Sequence, residues 1–189
     1  MDPGGPRSYS RSFLRGYVAE LRRIKLFDEV RAGASPRLAS LLDDPEMAPS
    51  WMDPEPLDEI LVAVATLRGR DACRELGRQV MKSNAFLTVL EPIIHLAMSI
   101  TGGGPSALFS RAQMMASVKA RGIETLWKST GPASGTMRIR SQGPMLDWSW
   151  AAWEGSLAYG LEFAGVKGSV SRARPAPDGR SCEIDVSWT

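Results

Sequence analysis

The C-terminal end of the chain leaves least freedom to the fold. In SCEIDVSW, Cys182, Ile184, Val186 and Trp188 point one way and Ser181, Glu183, Asp185 and Ser187 the other, the two-residue period of a half-buried sheet strand. The segment before it, DWSWAAWEGSLAYGLEFAG, has a helical period and is apolar on both arcs: Trp150, Trp153, Leu157, Leu161 and Ala164 form one stripe, and Trp148, Ala152, Gly155, Tyr159 and Phe163 fill much of the rest. Such a helix must be covered on both sides. One side can pack on a sheet through Trp188, Ile184, Val186, Met137 and Ile139, while the other must meet a helical lobe, a ligand or a second protomer. The small residues Ala151, Ala152, Gly155, Ser156 and Gly160 allow close approach of another backbone and leave room for a ligand. A helix laid across a small sheet is a pocket-forming scaffold, so Trp127, Trp148, Trp150, Tyr159 and Phe163 are the candidate residues for a ligand or partner pocket.

Upstream, helical spacing dominates. Phe13, Tyr17, Leu21 and Ile24 predict a first helix over 10–26, and Ser35-Pro36 predicts a capped start for a short second one through Leu38, Leu41 and Leu42, ending near Asp44-Pro45. MAPSWM reads as a loop. Asp53-Pro54 repeats the start signal before the stripe Leu57, Ile60, Leu61, Val64 and Leu67, which closes at Gly69. Further helices are expected over 71–82, over a segment containing Leu87, Leu90, Ile94 and Met98, and from Pro105. Gly122 switches the period to alternation over 123–128 and 136–141, a hairpin around STGPASG. Strands near 167–174 and 181–188 are joined at PAPDG.

The expected architecture is α+β: a flexible leader over 1–9, then one domain over 10–189. Its helical lobe, 10–121, packs on a four-stranded antiparallel sheet over 122–189 in the order strand, strand, helix, strand, strand.

Charge and cysteine usage exclude several classes. A formal net charge of +2 gives no footprint for nucleic-acid binding. Residues 1–31 are locally basic and 43–59 hold seven acids and no base, an asymmetry read as solvated helix faces. The start, MDPGGPRSYSRSF, has no apolar core of a signal peptide, and no long apolar run suggests membrane insertion, so the chain reads as cytoplasmic. Cys73 and Cys182 stand alone without metal spacing and read as buried reduced thiols. TGGGP has neither a strand before it nor GKS/T behind it, so it ends a helix rather than cradling phosphate.

The stretches FLRGYVAELRRIKLFDEV, APSWMDPEPLDEILVAVATLRGRDACRELGR, AWEGSLAYGLEFAGVKGSVSR and DGRSCEIDVSW resemble a paralogous family of unknown function expanded in myxobacteria. From Leu87 onward the chain is also distantly similar to haem nitric-oxide/oxygen-binding domains and four-vinyl-reductase ligand-binding domains. That resemblance implies a helical lobe against a small antiparallel sheet enclosing a ligand pocket. In the haem family a helix histidine binds the iron and a Tyr-x-Ser-x-Arg motif pairs with the propionates. His95 stands where the ligand would, and Ile139, Ser141 and Gly143 stand at the motif positions. Only the serine matches, and loss of the tyrosine and arginine removes the main partners of two buried carboxylates.

Catalytic constellations are weak. His95 is the single histidine, with apolar neighbours, and reads as a structural side chain first and a haem ligand second. WEGSLAYG lies within a helix, where no strained nucleophile elbow forms. Glu91 with Glu124, or Asp58 with Glu59, read as helix surface charges, and Arg138, Arg140, Arg172 and Arg174 as exposed sheet positions. The expectation is therefore a non-enzymatic sensory or adaptor module, without cofactor, binding a small apolar ligand or a protein partner in bacterial signalling. A haem-based gas sensor with His95 as axial ligand is the alternative, and a hydrolase of unknown substrate the second. A homodimer through the Trp-rich helix or the acidic third-helix region is a further expectation.

Overall fold

The computed structural model describes residues 6–83 and 104–189. The expected helix around Leu87 to Met98, with His95 and Glu91, lies outside them. The elements in chain order are β1 (Ser8–Ser10), α1 (Arg11–Arg23), α2 (Phe27–Ala32), α3 (Pro36–Asp43), a 3-10 turn (Pro45–Met47), β2 (Trp51–Met52), α4 (Glu55–Arg68) and α5 (Arg70–Lys82), then α6 (Pro105–Ser110), α7 (Ala112–Ser117), β3 (Ala120–Arg121), β4 (Ile123–Gly131), β5 (Ser134–Ser141), α8 (Asp147–Phe163), β6 (Gly168–Val170), β7 (Arg174–Pro175) and β8 (Ser181–Trp188). The architecture is α+β with antiparallel sheets, as expected.

Local chemistry explains the boundaries. Ser35 caps α3, its side chain accepting from the Leu38 N–H ahead of Pro36. Gly69 ends α4 at φ 81°, a conformation a side chain resists. Two helices close with the same pair of backbone bonds. At α1, Lys25 N–H reaches Arg22 O and Leu26 N–H reaches Leu21 O; at α8, Gly165 N–H reaches Glu162 O and Val166 N–H reaches Leu161 O. The left-handed residue is glycine after α8 (φ 70°) but lysine after α1 (φ 58°).

The sheet order is β4-β5-β8-β6, with β7 also pairing with β8. The four expected strands are there, but the one near 167–174 is split into β6 and β7, making five. The chain leaves the ladder at Ser171, whose N–H bonds Asp185 O and whose hydroxyl accepts from the Asp185 N–H. Cys182, Ile184 and Val186 of β8 and Met137 and Ile139 of β5 are all buried, so the dry face is the expected one. The free edge of β4 is partly covered by Gln113, whose side chain accepts from Thr125 N–H and donates to Ile123 O.

A second sheet, β2-β1-β3, was not expected. It draws Ser8 and Tyr9, assigned above to a flexible leader, into the fold, and Arg7 beside them is buried. MAPSWM, expected as a loop, supplies β2. Arginines of the N-terminal part meet the acidic segment: Arg11 and Arg15 pair with Glu46, Arg31 with Asp43, Arg37 with Asp53 and Glu55, and Arg7 with Asp58.

α8 lies between the sheet and α5. Its crossing with α5 is backbone against backbone: Gly77 lies against Ala152, and Gly155 against Arg74 and Arg78. Glu154 is fully buried there and takes Arg70 at 2.9 and 2.5 Å and the Ala173 N–H at 2.7 Å, while Arg70 also reaches Asp147 at 2.9 Å. Both arcs of α8 are thus covered within one chain. Among its residues only Glu162 is exposed, while Trp148, Trp153, Ala158 and Tyr159 are half-buried.

Candidate functional site

The small residues on α8 do two jobs. Ala152 and Gly155 admit α5, while the row Ser149, Ala152, Ser156 and Gly160 leaves space on the side facing α1, α4, α6 and α7. That space is a cavity of about 130 Å³, within a wider cleft of about 1210 Å³ measured out to solvent. An engineered apolar cavity of ~150 Å³ holds a benzene ring, so the enclosed part takes a group of about that size.

Each wall follows from a sequence periodicity. Tyr9, Phe13 and Tyr17 recur every fourth residue and form an aromatic ladder, with ring centroids 5.7 Å apart for Tyr9 and Phe13 and 5.5 Å for Phe13 and Tyr17. Leu57, Asp58 and Leu61 come from α4, and Leu108, Phe109, Ala112 and Ala116 from α6 and α7. α8 adds Trp153, Leu157, Tyr159 and Phe163, and Met81 and Met145 complete the apolar surface.

Two of the expected pocket residues, Tyr159 and Phe163, border this cavity; Trp127, Trp148 and Trp150 do not. Trp150 is 1% exposed, within the core. Trp127 stands on β4, where its ring lies 4.9 Å from Phe109 and 6.2 Å from Trp188 and its N–H donates to Ser106 Oγ at 2.9 Å. Trp148 packs half-buried against the core. Trp153, on the same predicted stripe as Trp150, lines the cavity.

The polar points on the wall are few. Asp58 is not a solvated helix charge: one carboxylate oxygen pairs with Arg7 Nη2 and the other accepts from Ser149 Oγ at 3.1 Å. Burial pushes the Asp58 pKa up, against the opposing pull of Arg7 and Ser149. Arg7 Nη1 is buried without a hydrogen-bond partner among the described residues. Burial also raises the Tyr9 and Tyr17 phenols. Glu59, paired with Asp58 in the sequence reading, instead accepts from the backbone and hydroxyl of Ser35 at the start of α3. Lys119 is the cation of the described wall; it donates to Ser12 Oγ at 2.7 Å, and burial, aided by Arg15, lowers its pKa.

The motif positions lie elsewhere. Ile139 is fully buried in β5 opposite Cys182, and Ser141 is buried with its backbone N–H on Arg180 O. Gly143 has open space where a side chain would begin. None of the three lines the cavity. The described wall offers one ammonium and one carboxylate, a donor set that does not fit the two propionates of haem. Cys73 and Cys182 are buried free thiols, each pushed up to about 12 by burial. Among the described residues no group of three His, Cys, Asp or Glu converges on a metal position, and no helix is long and apolar enough to cross a membrane.

A protein family described as "Protein of unknown function (DUF2378)" matches residues 62–189, from within α4 to the end of β8. The chain belongs to this family. The DUF2378 match spans the α5–α8 crossing, the sheet and the α6 to α8 walls of the cavity; the α1 wall lies before it. No curated protein matches the chain. Solved structures similar to it include a Fe(II) unliganded H-NOX protein from K. algicida, 9% identical, TM-score 0.64, with 95% of this chain and 96% of that one covered. A T. Tengcongensis H-NOX mutant is 16% identical with TM-score 0.57, covering 94% and 96%. A structure described as "Structural insights into the molecular mechanism of H-NOX activation" is 15% identical with TM-score 0.62, covering 92% and 93%. At these identities the likeness establishes the fold, and the distant similarity to haem nitric-oxide/oxygen-binding domains stands at that level.

Proposed function

We propose that this DUF2378 domain is a non-enzymatic, cytoplasmic sensory module that takes a small apolar ligand between α1, α4, α6–α7 and α8. The observation that carries the reading is the cavity itself: an aromatic and aliphatic wall with a handful of polar points, in a fold shared with H-NOX proteins. Its position against α8 suits a sensor, because α8 also touches α5 and the sheet, and a ligand that repositions it acts on both.

The test is thermal denaturation with a panel of apolar probes, beside Ser156→Phe, which fills the cavity. A ligand at a hundredfold excess over its Kd adds ~2.7 kcal/mol, about 5–10 °C for a domain of this size. The wild type should respond to at least one probe and the filled variant to none. Equal responses, or none, would overturn the reading.

A second reading is favoured by the fold neighbours, one of which is described as a Fe(II) protein: a haem-based gas sensor with His95 as axial ligand. The motif positions and the cavity wall argue against it. Added haemin should keep the broad absorption of free haemin, with no sharpened and shifted Soret band. A band that disappears in His95→Gly would establish haem instead.

A further inference from the structure

We infer that the ligand of this cavity carries a carboxylate head and that Lys119 receives it, an inference that rests on the reading of the cavity as a ligand site. Lys119 is part of the wall, and its ammonium has the Ser12 hydroxyl at 2.7 Å but no carboxylate partner among the described residues. On either side of Ser12 on α1, Arg11 and Arg15 share a single acid, Glu46, at 3.1 and 2.9 Å. Two arginines thus share one acid on the helix turn whose Ser12 holds Lys119, the one cation that lines the described wall. Exposed ion pairs of this kind are screened and contribute little to stability, but an uncompensated positive potential beside an apolar cleft raises the local concentration of anions.

The wall's other charged point is closed. Asp58 already has Arg7 and Ser149 on its two oxygens, and a second carboxylate there would meet like charge. The orientation follows: head at Lys119, hydrocarbon among Phe13, Leu108, Phe109 and Leu157. A half-buried ammonium with only a neutral hydroxyl partner among the described residues recovers little of its lost hydration; a carboxylate from the ligand supplies a charge-assisted hydrogen bond in a setting of reduced dielectric. A lysine that merely stretches its stem across the cleft with its head in water would need no such partner.

The experiment is calorimetric titration of the full chain with decanoate and with 1-decanol, which share an apolar body and differ in the charged head. The expected result is decanoate binding about tenfold or more tightly than decanol, a ratio typical of one charge-assisted hydrogen bond. Lys119→Met should erase the preference, so that the two probes bind within about twofold of each other, and Lys119→Arg should keep it. A wild type without preference for decanoate, or a Lys119→Met variant that retains it, would overturn the inference and leave the apolar site standing. If neither probe binds a protein that is folded by circular dichroism, the cavity reading falls and takes the inference with it.

Discussion

Replacing Gly155 by alanine adds one methyl where α8 meets α5. The added Cβ would overlap the Arg74 carbonyl oxygen and stand 2.7 Å from the Arg78 nitrogen, whereas an ordinary Cβ contact is 3.4–4 Å. Backbone atoms cannot swing aside as a side-chain tip can, so the helices must part by about 1 Å at a close-packed crossing. Overpacking of this kind costs about 1–3 kcal/mol, and we place this site at the upper end or beyond because both contacts are main chain. Removing a glycine from a helix returns about 1 kcal/mol, leaving about 2–3 kcal/mol of net destabilisation. For a chain of this length that lowers Tm by about 5–10 °C in differential scanning calorimetry. Gly77→Ala collides with Ala152 at the same crossing; once the helices are apart, the second methyl costs less, so the double variant should be less destabilised than the sum. Gly143→Ala, with open space at its Cβ, should stay within about 0.5 kcal/mol of wild type. An unchanged or raised Tm for Gly155→Ala would refute this account of the helix crossing.

Glu154→Ala strips Arg70 and the Ala173 N–H of a fully buried partner and should cost about 3–5 kcal/mol in urea denaturation; a loss below about 1 kcal/mol would contradict the buried knot. Lys25→Gly relieves the left-handed lysine after α1 and should raise stability by about 0.5–1 kcal/mol in the same assay, with any loss counting against it. The two thiols, shifted up by burial, should not react with Ellman's reagent at about pH 8 until the protein is unfolded. For Asp58, whose folded pKa is raised, the native state holds the proton more tightly than the unfolded chain. Its contribution to stability is therefore greatest below the unfolded pKa and declines as pH rises through the carboxylate range toward the folded value. Carboxyl NMR titration should find it above the ordinary aspartate value of about 3.9; a value at or below that would contradict the burial argument.

The elements with a strong local signal were legible in the chain. The alternation of Cys182, Ile184 and Val186 sets the dry face of β8, Ser35-Pro36 starts α3, and Gly69 stops α4. The side of α8 away from the sheet was legible as needing a cover but not what covers it. Gly77 and Gly155 are far apart in sequence, and nothing in either helix marks the two as facing each other. The same holds for Glu154, a charged residue in an apolar helix whose partner Arg70 opens a different helix. The cavity was misplaced toward the tryptophans because large rings are read as pocket walls, whereas here Trp150 fills core and the space lies beside Ala152, Ser156 and Gly160. The spacing of Tyr9, Phe13 and Tyr17 carried the missing wall, but Tyr9 sits in a Gly/Pro-rich segment that local pattern assigns to a leader. Only the small sheet β2-β1-β3, built from short strands distant in sequence, brings it in.

The measurement that addresses the central claim most directly is native mass spectrometry of the protein purified from its own host, with an absorption spectrum of the same sample. The account predicts a single small molecule bound one to one to the wild type, absent from Ser156→Phe, and no Soret band. A bare polypeptide mass, together with no uptake of any apolar probe by the folded protein, would contradict it.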